Sequence, residues 1–236
     1  MKQAIIIGVG PEDGLGAQLA SRFAGSHQVI VSGRTESKLQ ACVDAIKQQG
    51  GEAEAVVADA TSEADIQALF ARAENLDLAI YNAGNNTPGK IAEMEADFFE
   101  ASWRVCCFGG FLFGREAVRK MLPQGGGTLL FTGASASLRG RAGFGAFNSS
   151  KAGLRTLAQA MAKEYAQDHI HVGHVVVDGP IAGEKIKKGY PQYAEQLGDE
   201  GMINIQGIVD GFEFLYRQPE TAWSFELDVR TFRERW

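Results

Sequence analysis

Residues 4–16, AIIIGVGPEDGLG, place the strongest constraint on how this chain folds. Small and branched apolar residues in an unbroken run read as a parallel strand buried on both faces. The run passes into Gly10, Gly14 and Gly16, and a helical apolar pattern follows from Leu15 to Phe23. A strand that turns through glycine into a helix presents the unpaired N–H groups of the first turn to an anion, and glycine lets the backbone approach it closely. The competing reading is a tight turn that only packs helix on strand.

The same alternation continues along the chain. Strands are predicted over 29–33, 52–60, 76–84, 128–133, 170–177 and 223–229. Helices are predicted over 36–49, 62–74, 98–121, 147–166 and 203–216, and residues 181–201 form a charged, glycine-rich stretch. Repeated strand–helix units with continuous apolar strands define an α/β fold: a Rossmann-type, doubly wound parallel sheet of about seven strands. With 236 residues and no linker, repeat or low-complexity tract, one domain over residues 1–236 is expected.

Composition narrows the partners. The net charge of −6 argues against nonspecific nucleic-acid binding, and no apolar stretch approaches a membrane span. The N-terminal apolar run stops at Pro11-Glu12-Asp13 without a cleavage signature, so no secretory leader is expected. Three cysteines, Cys42, Cys106 and Cys107, suit a reducing cytoplasm better than a disulfide framework. His27, His169, His171 and His174 lack ligand spacing, and no metal is expected.

A strand–glycine–helix turn in this position points to a dinucleotide, held by Gly10, Asp13, Gly14, Leu15 and Gly16. The glycine spacing is G-xxx-G-x-G rather than the general G-x-G-x-x-G. After the second strand comes Ser32-Gly33-Arg34, where an acidic residue would take the 2′-OH of NAD and an arginine pairs with a 2′-phosphate. Arg34 therefore favours NADP, with NAD as the alternative; Glu12 and Asp13 in the glycine loop weigh against a phosphate, and a plain surface arginine is the bland reading. Asp59, followed by Ala60, either faces an adenine ring or caps a turn. Asn82, Ala83 and Gly84 are small enough to lie against a ribose, or simply form a turn.

Taken together, GPEDGLG at 10–16, GR at 33–34, Asp59, YNAG at 81–84 and FNSSK at 147–151 resemble the short-chain dehydrogenase/reductase family along essentially the whole chain. The resemblance implies binding of NAD(H) or NADP(H) and hydride exchange with an alcohol or carbonyl. It also implies Gly179 and Ile181 beside the cofactor, a mobile substrate lid over 181–201, and a homodimer or homotetramer built on the two long helices.

The family's Tyr-xxx-Lys pair is incomplete here. The lysine matches Lys151, which in the family holds the nicotinamide ribose and lowers the tyrosine pKa. The tyrosine position is Phe147, which has no proton to exchange. The family's catalytic serine falls on Ala134, with Ser135 a possible substitute or a turn residue. The family's helix asparagine falls on Cys106, which reads as a small buried filler. Other candidate proton donors are Lys151 itself, if burial lowers its pKa, and Tyr190 or Tyr193 in the lid. His174 reads as a satisfied core histidine. The turn Leu138-Arg139-Gly140-Arg141 reads as an exposed basic turn or an anion holder.

Two functions of different class follow. One is an NAD(P)-dependent oxidoreductase acting on an unknown carbonyl or alcohol with a non-standard proton donor. The other is a non-catalytic NADP(H)-binding pseudo-enzyme, redox sensor or inactive partner subunit. A Rossmann-type enzyme of another class, such as a methyltransferase or epimerase, is a third reading that the short glycine spacing and Lys151 disfavour. The aromatic, charged tail over 230–236 is expected to pack on a neighbouring subunit.

Overall fold

The computed structural model describes residues 1–234. Strands β1 (Gln3–Ile7), β2 (Gln28–Gly33), β3 (Glu52–Val57), β4 (Leu76–Tyr81), β5 (Gly127–Ala134), β6 (Ile170–Val177) and β7 (Glu226–Val229) form a seven-stranded sheet in the order β3-β2-β1-β4-β5-β6-β7. Every pairing is parallel, with Ile5 opposite Ile30 on one side and Ala79 on the other. The chain runs outward from β1 to β3, then returns to β4 and runs the other way. That reversal opens a crevice beyond the carboxyl ends of β1 and β4.

The inner strands are buried on both faces, which is why they read as largely apolar runs, whereas the edge strands β3 and β7 are partly exposed. Ala4 and Ile6 of β1 point to one core with Val29, Val31, Leu78 and Ile80. That core is covered by helices α1 (Leu15–Phe23), α2 (Glu36–Gln48) and α9 (Ile205–Tyr216). Ile5 and Ile7 point to the opposite core with Ile30, Ala79, Tyr81 and Phe131. It is covered by α3 (Glu63–Ala71), α5 (Gly109–Met121) and α6 (Gly145–Tyr165).

The helix predicted over 98–121 is two helices. α4 (Ala96–Trp103) and α5 are joined by a π turn over Arg104–Phe108, where the N–H of Gly109 reaches the carbonyl of Arg104. The cause lies in the sheet. The buried Tyr81 hydroxyl donates to the Val105 carbonyl at 2.5 Å, drawing that group off the helical ladder. Gly109 admits the ring, because a Cβ there would lie 2.4 Å from the Tyr81 oxygen.

Other expected boundaries move. β3 stops at Val57, because Asp59 folds the following residues into a turn by accepting the N–H and hydroxyl of Thr61, both at 2.8 Å. β7 begins at Glu226 rather than 223. The 181–201 stretch contains helices α7 (Glu184–Gly189) and α8 (Pro191–Leu197). Among the described residues no helix is long and apolar enough to cross a membrane. Arg235 and Trp236, the end of the tail expected to meet a neighbouring subunit, lie outside the described residues.

Candidate functional site

The crevice at the reversal is a cavity of about 260 Å³. It brings together Gly10, Arg34, Asp59, Ala60, Asn82, Ala83 and Gly84, all singled out by sequence. Four strand ends supply them, and a turn of small residues lets each backbone stay close to the opening. The Asp59 carboxyl is held below its usual range, chiefly by the Thr61 backbone N–H it accepts. It makes the turn that the sequence offered as one reading, and it also lines the cavity.

The glycine loop divides its labour. Gly10 lines the cavity, and a Cβ there would point into open space. Gly14 caps α1 with extended backbone, no side chain caps the first turn, and no acidic residue sits in that turn. This leaves the positive end of the helix for an anion. Leu15 and Gly16 are buried and face the strand rather than the cavity; a Gly16 Cβ would lie 2.6 Å from the Gly8 carbonyl oxygen. Asp13 is exposed on the loop.

Of the lining residues that sequence reasoning did not single out, three bear on the shape and charge of the cavity. Gly8 lines the cavity with φ +88°, and its missing Cβ would sit 2.5 Å from the Asn82 carbonyl carbon. Thr35 and Lys38 line the cavity beside Arg34. The signal was available: in GRTESK, Lys38 falls in the first turn of the helix that begins just after Arg34.

Lys151 sits deeper, 5% exposed, and its Nζ donates to the Thr132 carbonyl at 2.8 Å. Thr132 Oγ1 donates to Asn82 Oδ1 at 2.9 Å, and Asn82 Nδ2 donates to the Gly8 carbonyl at 3.1 Å. One hydrogen-bonded chain thus ties the lysine to the glycine turn. Burial pushes the Lys151 pKa down, opposed by Cys106 and Cys107. Gly84 keeps the passage open, since a Cβ there would meet Lys151 Nζ at 3.4 Å and Cys106 Sγ at 3.6 Å.

Phe147 is half-buried on α6, four residues before Lys151 and on the same face of the helix. Ser135 is half-buried in the turn after β5, and its carbonyl accepts the N–H groups of Leu138 and Arg139. Its turn role is therefore real. Cys106 is fully buried, 3.7 Å from the backbone and side-chain oxygens of Asn85, as expected of a filler. Arg139 departs from both readings offered for its turn. It forms a two-pronged ion pair with the buried Asp178 carboxylate at 2.8 and 2.9 Å and is neither a loose surface charge nor a spare anion holder.

Gly179 and Ile181 lie outside the cavity lining. Gly179 packs on Ile203, and Ile181 bridges Ile203. The start of α7 reaches the glycine loop, where a Gly183 Cβ would be 3.6 Å from the Asp13 carbonyl oxygen. Tyr190 and Tyr193 are exposed, at 54% and 41%.

The arrangement fits a dinucleotide. An uncapped helix end follows the glycine turn, the cationic residues Arg34 and Lys38 line the cavity, and a buried lysine lies beside Gly84. Comparison with known proteins agrees. The model of the short chain dehydrogenase family matches residues 2–188. A 7alpha-hydroxysteroid dehydrogenase of Escherichia coli strain K12 is 30% identical over 200 residues, 83% of this chain and 77% of that one. A short-chain dehydrogenase from Rhodopseudomonas palustris superimposes with TM-score 0.84 and 34% identity, covering 98% of this chain and 99% of that one. A 7 alpha-hydroxysteroid dehydrogenase complexed with NADH and 7-oxo glycochenodeoxycholic acid superimposes with TM-score 0.87 and 27% identity, over 97% of this chain and 92% of that one. The chain belongs to the short chain dehydrogenase family.

Proposed function

We propose that the chain is an NADP(H)-dependent oxidoreductase that interconverts a small carbonyl compound and its alcohol without a tyrosine acid. The observation that carries this reading is the pair of cations, Arg34 and Lys38, with the Thr35 hydroxyl, lining one cavity at the end of β2. A 2′-phosphate there gains charge-assisted hydrogen bonds, each worth about 1.5–3 kcal/mol. NAD offers only a neutral hydroxyl in that place, which accepts a weaker hydrogen bond.

When bound, the reduced nicotinamide supplies a hydride. The chain's own residues do the rest. The first turn of α1 would hold the pyrophosphate and Asn82 to Gly84 the ribose, with Gly179 and Ile181, outside the cavity lining, left to the nicotinamide end. Lys151 would hold the ribose hydroxyls and, because burial eases loss of its proton, would give that proton to the substrate oxygen in place of the missing phenol. Ser135 is the hydroxyl available to orient that oxygen. Residues 181–201 act as the lid, since the start of α7 already meets the glycine loop. We place the protein in the cytoplasm, as a homodimer or homotetramer through α4, α5 and α6.

A titration followed by nucleotide fluorescence tests the cofactor assignment directly. NADPH should bind at least ~10-fold more tightly than NADH, and Arg34→Ala with Lys38→Ala should erase the difference. Equal affinity for both nucleotides overturns the assignment. A second reading, a binding protein without turnover, is favoured by one residue, Phe147. It prevails if the purified chain binds NADPH at micromolar concentration yet oxidises none against a broad aldehyde and ketone panel.

A further inference from the structure

Behind the nucleotide cavity lies a second arrangement that hydride chemistry does not use. Ser137, in the turn after β5, contacts His174 of β6, with 3.4 Å between Oγ and Nε2. His174 Nδ1 lies 3.0 Å from Glu226 Oε2 of β7. Glu226 is itself fixed by Arg155 of α6, which donates to its two oxygens at 2.6 and 2.9 Å. The three side chains stand in the order nucleophile, base, acid, one in the turn after β5 and two on the neighbouring strands β6 and β7, joined head to tail.

His174 is fully buried, and burial lowers its pKa to about 4, with Lys151 and Arg155 adding to the shift and Glu226 opposing it. The ring is therefore neutral near pH 7. With Glu226 ionised beside Nδ1, the proton sits on Nδ1, which donates to the carboxylate, and Nε2 is free to accept from the serine. Space for the ring comes from Gly133, where a Cβ would fall 2.3 and 2.4 Å from His174 Cε1 and Nε2. The Ala134 N–H donates to Ser137 Oγ at 3.1 Å and fixes the serine rotamer.

Ser137 is only 6% exposed, but it lines a separate cavity of about 280 Å³ between this turn and the outer face of α6. Ala136, Leu138 and Ala152 give that cavity apolar walls, with Asn148 and Gly140 among its polar edges. Two donors are available for a developing oxyanion. Gly140 carries a backbone N–H with no acceptor among the described residues. Asn148 Nδ2 spends one of its two N–H groups on the Arg141 carbonyl.

We infer that Ser137, His174 and Glu226 form a second, cofactor-independent site that cleaves short-chain carboxylic esters. Ser137 Oγ gives its proton to His174 Nε2 and bonds to the ester carbonyl carbon. The carbon–alkoxy bond breaks, and the alcohol leaves with the proton from Nε2. Water then gives a proton to Nε2, its oxygen bonds to the acyl carbon, and Ser137 recovers its proton as the acid departs. No electron is transferred. The 3.4 Å contact is long for this step, as such contacts are before substrate tightens them. Glu226 is a positioning residue, acting only through the imidazole.

The test uses the full chain without nucleotide. A fluorophosphonate probe should label it, peptide mass spectrometry should find the adduct on Ser137, and 4-nitrophenyl acetate should be turned over. Ser137→Ala should abolish labelling and reduce turnover at least ~100-fold, while the chain keeps its NADPH affinity. Glu226→Gln should lower kcat with little change in KM and should move the pH profile, which a purely structural loss would not do. An unlabelled wild-type chain, an adduct on another residue, or full turnover by Ser137→Ala overturns the proposal. The adduct position is read on wild-type protein, so the outcome stands whether or not a variant folds.

Discussion

Acid should weaken this fold through His174 before any carboxylate titrates. The imidazole is fully buried and has a pKa of about 4 in the folded chain, against about 6.5 when unfolded. Between those values the unfolded chain takes up a proton and the folded chain does not, so falling pH favours unfolding. At 1.36 kcal/mol per unit, about 3 kcal/mol is lost by the time the pH has passed below the folded value, and about 2 kcal/mol of it between pH 7 and 5. Glu226, whose pKa is lowered by Arg155 and His174 against the cost of burial, contributes only below its ordinary value of 4.5. The interval from pH 7 to 5 therefore isolates histidine. His171 is also pushed down by burial, so the comparison must be with His174→Gln, which removes one titration and keeps the other. Urea unfolding at pH 5, 6 and 7 should show wild type losing about 2 kcal/mol more than the variant, or about 4–8 °C in melting temperature. Parallel curves, agreeing within ~0.5 kcal/mol at all three pH values, would falsify the assignment of a buried neutral imidazole.

Two further substitutions bear on the nucleotide site. Phe147→Tyr restores the missing phenol one turn from Lys151 and should raise carbonyl reduction by ~10²–10⁴-fold, measured as NADPH oxidation; an unchanged rate means the pocket around residue 147 does not seat a carbonyl. Gly8→Ala should destabilise the chain by roughly 2 kcal/mol or more, since its positive φ and the Asn82 carbonyl both exclude a methyl. An unaltered thermal melt for that variant refutes the packing argument.

The inner sheet was legible because its strands are buried on both faces and written mainly in apolar residues, without interruption in Ala4–Ile7 and with two buried histidines in 170–177. The cavity lining was legible for a related reason: parallel strands end side by side, so the residues just past each apolar run must share one edge. What escaped depends on partners far along the chain. The break in the 98–121 helix is caused by Tyr81, 24 residues before the carbonyl it captures. Arg139 looked like a free cation because Asp178 lies 39 residues later. Ser137, His174 and Glu226 are separated by 37 and 52 residues, and only the pairing of β5 with β6 and β6 with β7 makes them neighbours. Lys38 was overlooked for a local reason. A lysine on an exposed helix reads as a solvated charge unless the helix is known to start at a ligand.

The π turn at Arg104–Phe108 inserts one residue into an otherwise continuous helical rod, which offsets its two halves by roughly 100° about the axis. α4 thereby addresses α6, whereas α5 lies on the sheet. A single-residue deletion within 104–108 would restore an ordinary helix and swing Gly109 and Gly110 away from Tyr81 and Leu154, whose close approach only glycine permits. The number of residues in this segment is thus as constrained as any side chain in it.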